Sequence, residues 1–267
     1  MNAARLLVKP GSKVKLSSRD PDATHGYDKA KATEELLKHK TRMAELQEVL
    51  FAEKKHALLI VLQAMDAGGK DGTIRNVMTG MNPQGCTVTS FKAPSDEELS
   101  HDFLWRVHKG VPGKGHVTVF NRSHYEDVLI VRVHGLVPKS VWSERYDQIN
   151  QFERVLDKNE CKIIKFFLHI SKDEQKKRLE ERIADPTKWW KVNPADLEEH
   201  KKWDHYMAAY EDALRKCSTE QSPWYVIPAN KKWFRNVAIA QIVVEALEQM
   251  KLQYPKPAID PLKTLIE

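Results

Sequence analysis

The chain has 267 residues, of which 41% are hydrophobic and 30% charged, and its mean hydropathy is −0.56. This length fits one large α/β domain or a core domain with a helical insertion, and the absence of a long apolar run excludes a transmembrane helix. The net charge of +6 and the pI of about 9.0 favour a polyanionic partner: nucleotide, nucleic acid, anionic lipid or another phosphate polymer.

The cysteine pattern predicts a reducing compartment. Cys86, Cys161 and Cys217 are far apart and form neither a CxxC pair nor a zinc-binding spacing. The apolar run near the N-terminus is too short for a secretory signal. We therefore expect a cytoplasmic protein.

Residues 1–28 are predicted to form an arm over the surface of a single domain that spans residues 29–267. Turn signals at Pro10-Gly11 and Asp20-Pro21 interrupt a polar, irregular segment. From residue 29 to 55 the apolar spacing predicts an amphipathic helix.

Five apolar runs predict strands buried on both faces of a parallel sheet. They lie at residues 57–64, 86–91, 116–120, 163–170 and 224–227. Helical patterns lie between and after them, at residues 70–80, 96–109, 124–134, 138–158 and 230–253. This alternation predicts an α/β three-layer sandwich, with a five-stranded parallel sheet and helices on both faces.

Residues from about 171 to 217 form a long, charged, helical insertion between two predicted strands. Its basic residues include Arg178, Arg182, Lys188 and Lys191. In a nucleotide kinase this position is typical of a mobile lid. A solvated helical hairpin is the alternative interpretation.

A strand, a glycine-lysine loop and a helix in succession predict a phosphate-binding site. After the first strand the sequence reads Ala64-Met-Asp-Ala-Gly-Gly-Lys70-Asp-Gly-Thr73. Glycines let backbone N–H groups approach a phosphate, the helix N-terminus adds its positive end, and the lysine adds a charge. The expected phosphate contacts are Gly68, Gly69, Lys70, Asp71, Gly72, Thr73 and Arg75.

This loop departs from the Walker A pattern at two positions. Ala64 replaces the first glycine, and Asp71 replaces the hydroxyl residue that normally holds magnesium. Asp66 is therefore predicted as the substitute ligand for Mg²⁺ (or Mn²⁺), with Thr73 as a weaker candidate. The alternative role of Asp66 and Asp71, better suited to Asp71, is to complement the helix dipole.

Polar side chains follow the third predicted strand, at the edge of the sheet where α/β proteins bind ligands. Arg122 is predicted to reach into this crevice and grip a phosphate through two hydrogen bonds. Glu126 alternatively completes a capping box with Ser123, and His124 is interpreted as a surface histidine. The candidate metal or nucleotide contacts here are Asn121, Glu126, Asp127 and Arg132.

Seven ordered motifs resemble the polyphosphate kinase 2 family and cover nearly the whole chain. They are Asp66–Gly72, Asn82–Gly85, Phe91–Pro94, His101–Arg106, Phe120–Asp127, Asp185–Lys191 and Trp224–Asn230. The resemblance implies a thymidylate-kinase-like P-loop fold with a helical lid, dependence on magnesium, and phosphoryl transfer between polyphosphate and AMP, ADP or ATP. It also implies a homo-oligomer, a tetramer or dimer, with no nucleic-acid or membrane partner.

The resemblance assigns catalytic roles to Asp66, Lys70 and Arg122. Arg178, Lys188 and Lys191 would belong to the lid, with the two lysines near the nucleotide. Lys231 and Arg235, which follow the last strand, would contact the polyphosphate.

One departure from the family pattern concerns the acceptor. Much of the family has Asp-Arg-Ser where this chain has Asn121-Arg-Ser, so a simple metal ligand is lost there and Glu126 is the expected compensation. The Asn form with a downstream Glu-Asp is similar to the subgroup that accepts both AMP and ADP. Two rival hypotheses stay open: an ATP-dependent nucleoside or nucleotide kinase, and a nucleic-acid-binding P-loop protein.

Overall fold

A computed structural model describes residues 2–259 and contains a five-stranded, all-parallel sheet with the strand order β2-β3-β1-β4-β5. The strands are β1 (Ala57–Gln63), β2 (Cys86–Ser90), β3 (Val117–Asn121), β4 (Cys161–His169) and β5 (Trp224–Pro228). Each predicted strand is confirmed, with boundaries that differ by no more than two residues.

Helices cover the sheet and complete the three-layer α/β sandwich that the sequence predicts. They are α1 (Lys29–Glu53), α2 (Lys70–Val77), α3 (Asp96–Leu99), α4 (Trp105–His108), α5 (Ile130–Val133), α6 (Lys139–Lys158), α7 (Lys172–Ala184), α8 (Pro194–Lys201), α9 (Trp203–Cys217) and α10 (Lys232–Gln249). All seven residues of β1 are buried, because helices pack on both faces of the sheet. Helix α10 packs on α1, β4 and β5, whereas α6 packs on β4 and α9.

Two segments predicted as continuous helices are broken in the structure. Within residues 96–109, α3 ends at Leu99, and the Asp102 carboxylate accepts a hydrogen bond from the N–H of Leu104 as a new turn starts (3.0 Å). Within residues 124–134, a 3-10 turn over His124–Val128 precedes α5. The prediction of one helix was wrong in both places, because local side-chain hydrogen bonds compete with a continuous helix.

The N-terminal arm closes the sheet at β5. The N–H of Val8 donates to the carbonyl of Trp224 (2.8 Å), and the N–H of Val226 donates to the carbonyl of Leu6 (2.9 Å). Leu6, Val8 and Leu16 are buried. The arm therefore belongs to the core and shields an edge strand that would otherwise expose unpaired backbone groups.

The insertion predicted as a lid contains helices α7, α8 and α9 and a 3-10 turn over Pro186–Lys191. These parts differ in burial. Helix α9 buries seven side chains against the core, whereas α8 and the 3-10 turn bury none. That the insertion moves stays a prediction, and the loosely packed part is confined to the turn and α8. No helix within residues 2–259 is long and apolar enough to cross a bilayer.

Candidate active site

The phosphate-binding loop joins the C-terminal end of β1 to the N-terminus of α2, as the sequence predicts. At Gly68 an added Cβ would lie 2.6 Å from the Ala64 Cβ and 2.8 Å from the Met65 carbonyl oxygen. Gly69 has φ +103°, and a Cβ there would lie 2.0 Å from Nη1 of Arg235. Both positions therefore require glycine, one for close backbone packing and one for a positive φ under a guanidinium.

The side chain of Lys70 folds over its own loop. Its Nζ donates to the carbonyls of Ala64 (2.9 Å) and Met65 (3.4 Å). Burial lowers the pKa of Lys70 to about 8, and the Arg122 charge acts in the same direction. The ammonium group is thus poorly compensated in the free protein, and a phosphate anion beside it would restore the favourable partner that burial removes.

Asp66 and Arg122 meet across the crevice between the loop and the end of β3. Nη2 of Arg122 donates to Oδ1 of Asp66 (2.6 Å), and Nη1 lies 3.7 Å from a carboxylate oxygen of Glu126. Burial lowers the pKa of Arg122, but the Glu126 and Asp66 charges raise it by more, so it stays above its ordinary value. The structure thus brings Asp66, Arg122 and Glu126 together at the crevice.

The backbone of Arg122 is strained. Its φ is +64°, which is rare for a residue other than glycine, and its N–H donates to the carbonyl of Leu62 on β1 (3.1 Å). Such strain persists only where surrounding contacts over-determine it, and it concentrates at functional sites. The strained turn directs the side chain of Arg122 back toward Asp66.

Asp71 bridges the end of β3 and the insertion. Its Oδ1 accepts from the amide of Asn121 (2.9 Å), and its Oδ2 accepts from Nζ of Lys191 (2.9 Å). Burial raises the pKa of Asp71, but these two hydrogen bonds lower it by more, so the net shift is downward. Asp71 therefore acts as an anionic link that holds Lys191 of the 3-10 turn above the loop.

Two guanidinium groups, those of Arg178 and Arg235, cover the glycines of the loop. Arg178 donates to the carbonyls of Ala67, Ala229 and Asn230, which fixes α7 to the loop and to the end of β5. Arg235 pairs with the side chain of Asn236 and lies beside Gly69 and Gly72. Burial, followed by the charge of Arg178, lowers the pKa of Arg235 to about 10.

These groups line one cavity of about 760 Å³. Its wall contains ten basic and three acidic residues, which makes it strongly cationic. The acidic members are Asp66, Asp71 and Glu181, and the basic ones are Lys70, Arg75, Lys92, Arg122, Arg178, Arg182, Lys188, Lys191, Lys232 and Arg235. Such a wall suits a ligand with many negative charges.

Five of the predicted site residues lie outside this wall: Thr73, Glu126, Asp127, Arg132 and Lys231. Thr73 is buried, and its hydroxyl donates to the Gly69 carbonyl (3.1 Å). Glu126 stands behind Arg122. Lys231 precedes α10, whose residues Lys232, Trp233, Arg235 and Asn236 line the cavity instead.

Asp127 and Arg132 belong to ion pairs away from the cavity. Asp127 pairs with Arg145 (2.9 Å), and burial raises its pKa to about 6. Arg132 pairs with Asp212 (2.8 Å) and lies over the ring of Trp142 (4.7 Å). A nucleotide contact by either residue stays a prediction. The 3-10 turn changes the angular spacing of side chains, which a continuous helix over residues 124–134 would have directed differently.

Sequence reasoning missed several wall residues. Lys232, Trp233 and Asn236 lie in the first turn of α10, and Ser90 and Lys92 lie at and just after the end of β2. Their positions at or after the ends of β2 and β5 could have identified them, since ligands of open α/β sheets bind at the carboxyl ends of the strands. His124, interpreted as a surface histidine, is fully buried.

The carboxylates fit a magnesium ion that is shared with a substrate. Among residues 2–259, no group of three His, Cys, Asp or Glu side chains gathers at one point. Magnesium commonly binds through one or two carboxylates together with substrate phosphates rather than in a cage made by the protein. Asp66, in the loop beside Lys70, is suited to such shared binding.

The strand order, the loop and the cationic cavity define a P-loop phosphotransferase of the α/β class. The family described as polyphosphate kinase 2 matches residues 26–255, so the chain belongs to the polyphosphate kinase 2 family. A relative from Meiothermus ruber, named AMP/ADP-polyphosphate phosphotransferase, is 53% identical over 262 residues, which cover 97% of this chain and 98% of that protein.

Two further similarities agree with this family. An ADP-polyphosphate phosphotransferase of Rhodopseudomonas palustris is 46% identical over 273 residues, with 97% of this chain and 94% of that protein covered. The crystal structure of polyphosphate kinase 2 from Arthrobacter aurescens superposes with a TM-score of 0.94 at 48% identity, covering 98% of this chain and 94% of that one. The resemblance seen in the seven motifs is confirmed, together with the P-loop kinase fold.

Proposed function

We propose that this enzyme transfers the terminal phosphoryl group of inorganic polyphosphate to AMP and ADP, and catalyses the reverse reaction, with Mg²⁺ as the metal. The observation that carries the proposal is the cavity above the loop, whose ten basic residues exceed what one nucleotide phosphate group requires. The activities named for the Meiothermus ruber and Rhodopseudomonas palustris relatives agree with it.

Polyphosphate binds along the cationic wall and presents its terminal phosphate to the loop. The N–H group of Gly69 and the ammonium of Lys70 receive the phosphate at the N-terminus of α2, whereas the N–H of Gly68 is already bonded to the Met65 carbonyl (3.0 Å). Arg178 and Arg235 add charge beside Gly69. Because the transition state of phosphoryl transfer is loose, positioning and charge neutralisation supply most of the catalysis.

Arg122 and Asp66 act on the group in transfer. The 2.6 Å contact between them orients the guanidinium, whose positive charge then neutralises charge that develops on the phosphoryl oxygens. Asp66 orients the acceptor phosphate and is suited to accept its proton. Magnesium, held by Asp66 and phosphate oxygens, would neutralise charge on the donor and acceptor phosphates when bound.

The acceptor nucleotide binds at the β3 side of the cavity. Asn121 lies there and is already held by Asp71, while Glu126 stands behind Arg122. The amide of Asn121 places no negative charge beside an incoming nucleotide phosphate, which supports acceptance of ADP as well as AMP. Asp127 and Arg132 are assigned to the nucleotide only through motion of the surrounding turn, since both are now ion-paired elsewhere.

The 3-10 turn and α8 form the part of the insertion that closes. Lys188 and Lys191 on the turn line the cavity, and the ion pair of Lys191 with Asp71 holds the turn near the loop. Contact of these lysines with polyphosphate would replace that ion pair. Closure excludes water and so limits hydrolysis of the donor.

The decisive experiment is phosphoryl transfer in the absence of ATP. Purified protein is incubated with Mg²⁺, long-chain polyphosphate and either AMP or ADP, and the products are separated by chromatography. ADP should form from AMP, and ATP should form from ADP, when polyphosphate is the donor. A reaction without polyphosphate reveals any disproportionation of ADP, and an ATP-plus-AMP reaction tests the rival ATP-dependent kinase.

Products that require ATP as the donor would refute the proposal in favour of that rival. Salt-sensitive binding of nucleic acid that is tighter than polyphosphate binding would favour the nucleic-acid alternative. GMP and GDP in parallel reactions define the base preference.

The free thiols of Cys86, Cys161 and Cys217 support a cytoplasmic location. We further propose a homo-oligomer, a tetramer or a dimer. Light scattering coupled to size-exclusion chromatography measures the assembly, and a mass of one chain would contradict it.

A further inference from the structure

A cluster of fully buried polar and charged side chains lies behind the strained turn at the end of β3. Lys165 on β4, Glu153 on α6, and His124 and Tyr125 in the turn are each no more than 2% exposed. None of the four lines the cavity. They are outside the substrate-binding machinery, yet two of them follow Arg122 by only two and three positions.

The hydrogen bonds of this cluster converge on Glu153, and the Tyr125 hydroxyl is bonded to both members of the Lys165–Glu153 pair. Nζ of Lys165 donates to the Tyr125 hydroxyl (2.9 Å) and to the carbonyl of Cys217 (2.7 Å), and it is paired with Glu153. The Tyr125 hydroxyl donates to Oε1 of Glu153 (2.8 Å). Nε2 of His124 lies 3.2 Å from the same oxygen. The turn is thus tied to both β4 and α6.

Stability alone gives a weak reason for this arrangement. Removing two charges from water is unfavourable, and well-packed apolar side chains of similar volume often serve a fold equally well. Buried polar networks instead specify one arrangement of the chain, because any other arrangement leaves a charge without its partner.

In this structure the cluster lies next to the strained backbone of Arg122. Its φ of +64° is held on one side by the hydrogen bond from its N–H to the Leu62 carbonyl. On the other side, the hydroxyl of Ser123 accepts from the N–H of Tyr125 (3.2 Å), and the ring of Tyr125 is fixed by Lys165 and Glu153. A strained conformation requires such restraint from both sides.

We propose that the buried Lys165–Glu153 pair, acting through Tyr125, is a positioning device that holds Arg122 in the strained turn and so keeps its guanidinium on Asp66. These residues contact no reacting atom. They set the orientation of a catalytic group, and a small misplacement of such a group lowers the rate strongly while it leaves much of the substrate binding intact. The rate prediction rests on the proposed polyphosphate-dependent activity.

The test removes a single oxygen atom. Tyr125→Phe keeps the ring and deletes the hydroxyl that ties the turn to Lys165 and Glu153. We expect kcat to fall by about tenfold while the KM for polyphosphate changes by less than about twofold, because the other nine basic residues of the cationic wall stay in place. Ile242→Val is the control, since it removes a buried methylene group from α10 at a position outside both the cluster and the cavity wall, and it should leave kcat unchanged.

A double-mutant cycle separates positioning from general destabilisation. If Tyr125 acts through Arg122, Tyr125→Phe should lower kcat by less than about twofold in an Arg122→Ala background. Equal losses in both backgrounds, or an unchanged kcat in the native background, would overturn the inference. Should Tyr125→Phe fold poorly, the volume-conserving pair Lys165→Met with Glu153→Gln provides the same test.

The proposed function and this inference fail in different ways. A native enzyme with no polyphosphate-dependent transfer would refute the function. The inference is then tested by a crystal structure of Tyr125→Phe, in which Arg122 should leave the positive φ region and separate from Asp66. An unchanged Arg122 in that structure would refute the positioning role, whatever the activity.

Discussion

Gly69→Ala is the substitution whose effect the geometry defines most sharply. Two separate penalties apply to it. Alanine at φ +103° resists the left-handed conformation at about 1–2 kcal/mol. The new Cβ would also lie 2.0 Å from Nη1 of Arg235, so this buried guanidinium would have to move.

Displacement of Arg235 adds the larger penalty. Its Nε and Nη2 both donate to the Asn236 side chain (3.1 and 2.8 Å), and hydrogen bonds of a charged group contribute about 1.5–3 kcal/mol. The free energy of unfolding should therefore fall by about 2.5–5 kcal/mol in total. The KM for polyphosphate should rise as well, because the guanidinium leaves the cavity wall.

Gly80→Ala is the matched control. Gly80 has φ +108°, almost the same as Gly69, but nothing lies within 4 Å of its added Cβ. This variant should lose only about 1–2 kcal/mol and keep its kinetics. Urea unfolding of the two variants, with initial rates over a range of polyphosphate concentrations, measures the difference between them.

A double variant tests the cause of that difference. Arg235→Ala removes the atoms with which the new Cβ would overlap, so adding Gly69→Ala to it should cost no more stability than Gly80→Ala costs the native protein. Equal losses for Gly69→Ala and Gly80→Ala in the native background would refute the reasoning, because the close approach to Arg235 would then carry no energy.

Three further predictions concern the charged groups of the cavity. Asp66→Asn should lower kcat by a factor of about 10²–10³ at saturating Mg²⁺ with the fold intact. The control Asp147→Asn, at an exposed position on α6, should leave kcat unchanged. Near-normal turnover of Asp66→Asn would contradict the role assigned to Asp66. Because burial lowers the pKa of Lys70 to about 8 in the free protein, polyphosphate binding should take up a proton near that pH and weaken as the pH rises further. Calorimetric titration in two buffers of different ionisation enthalpy measures this proton uptake. The Lys70→Met substitution should abolish it. Lys191→Met should change the free energy of unfolding by less than about 1 kcal/mol, because the ion pair of Lys191 with Asp71 is exposed. The same substitution should nevertheless raise the KM for polyphosphate. Lys201→Met on the neighbouring helix α8 should leave this KM unchanged.

The sequence predicts the sheet well because periodicity reports burial. The run from Ala57 to Gln63 is buried on both faces, and an unbroken apolar run of this length is typical of a strand that helices cover on both sides. The loop after it was equally predictable, since Gly68 and Gly69 are required by the backbone geometry of the loop itself. Local constraints leave a local signature in the sequence.

The parts that were missed depend on contacts between distant segments. Leu6 and Val8 are too few to give a periodic pattern, yet they are buried because β5 offers an open edge. The carboxylate of Glu153 and the ammonium of Lys165 lie 12 positions apart on α6 and β4, so no local pattern joins them. Their partner Tyr125 lies on a 3-10 turn that was predicted as part of a helix.

The two aspartates of the loop pose a physical problem, since a site for a polyanion should not place carboxylates beside it. The structure resolves this by giving each one a cation: Arg122 for Asp66 and Lys191 for Asp71. Each pair is electrostatically neutral. Arg178, Arg182 and Lys188 are paired with carboxylates outside the wall, so five of the ten basic wall residues remain against the charge of Glu181. The carboxylates orient the cations that they neutralise. In place of the hydroxyl ligand of Walker A, the loop therefore has two oriented ion pairs, one beside Lys70 and one at the 3-10 turn that we propose closes over the cavity.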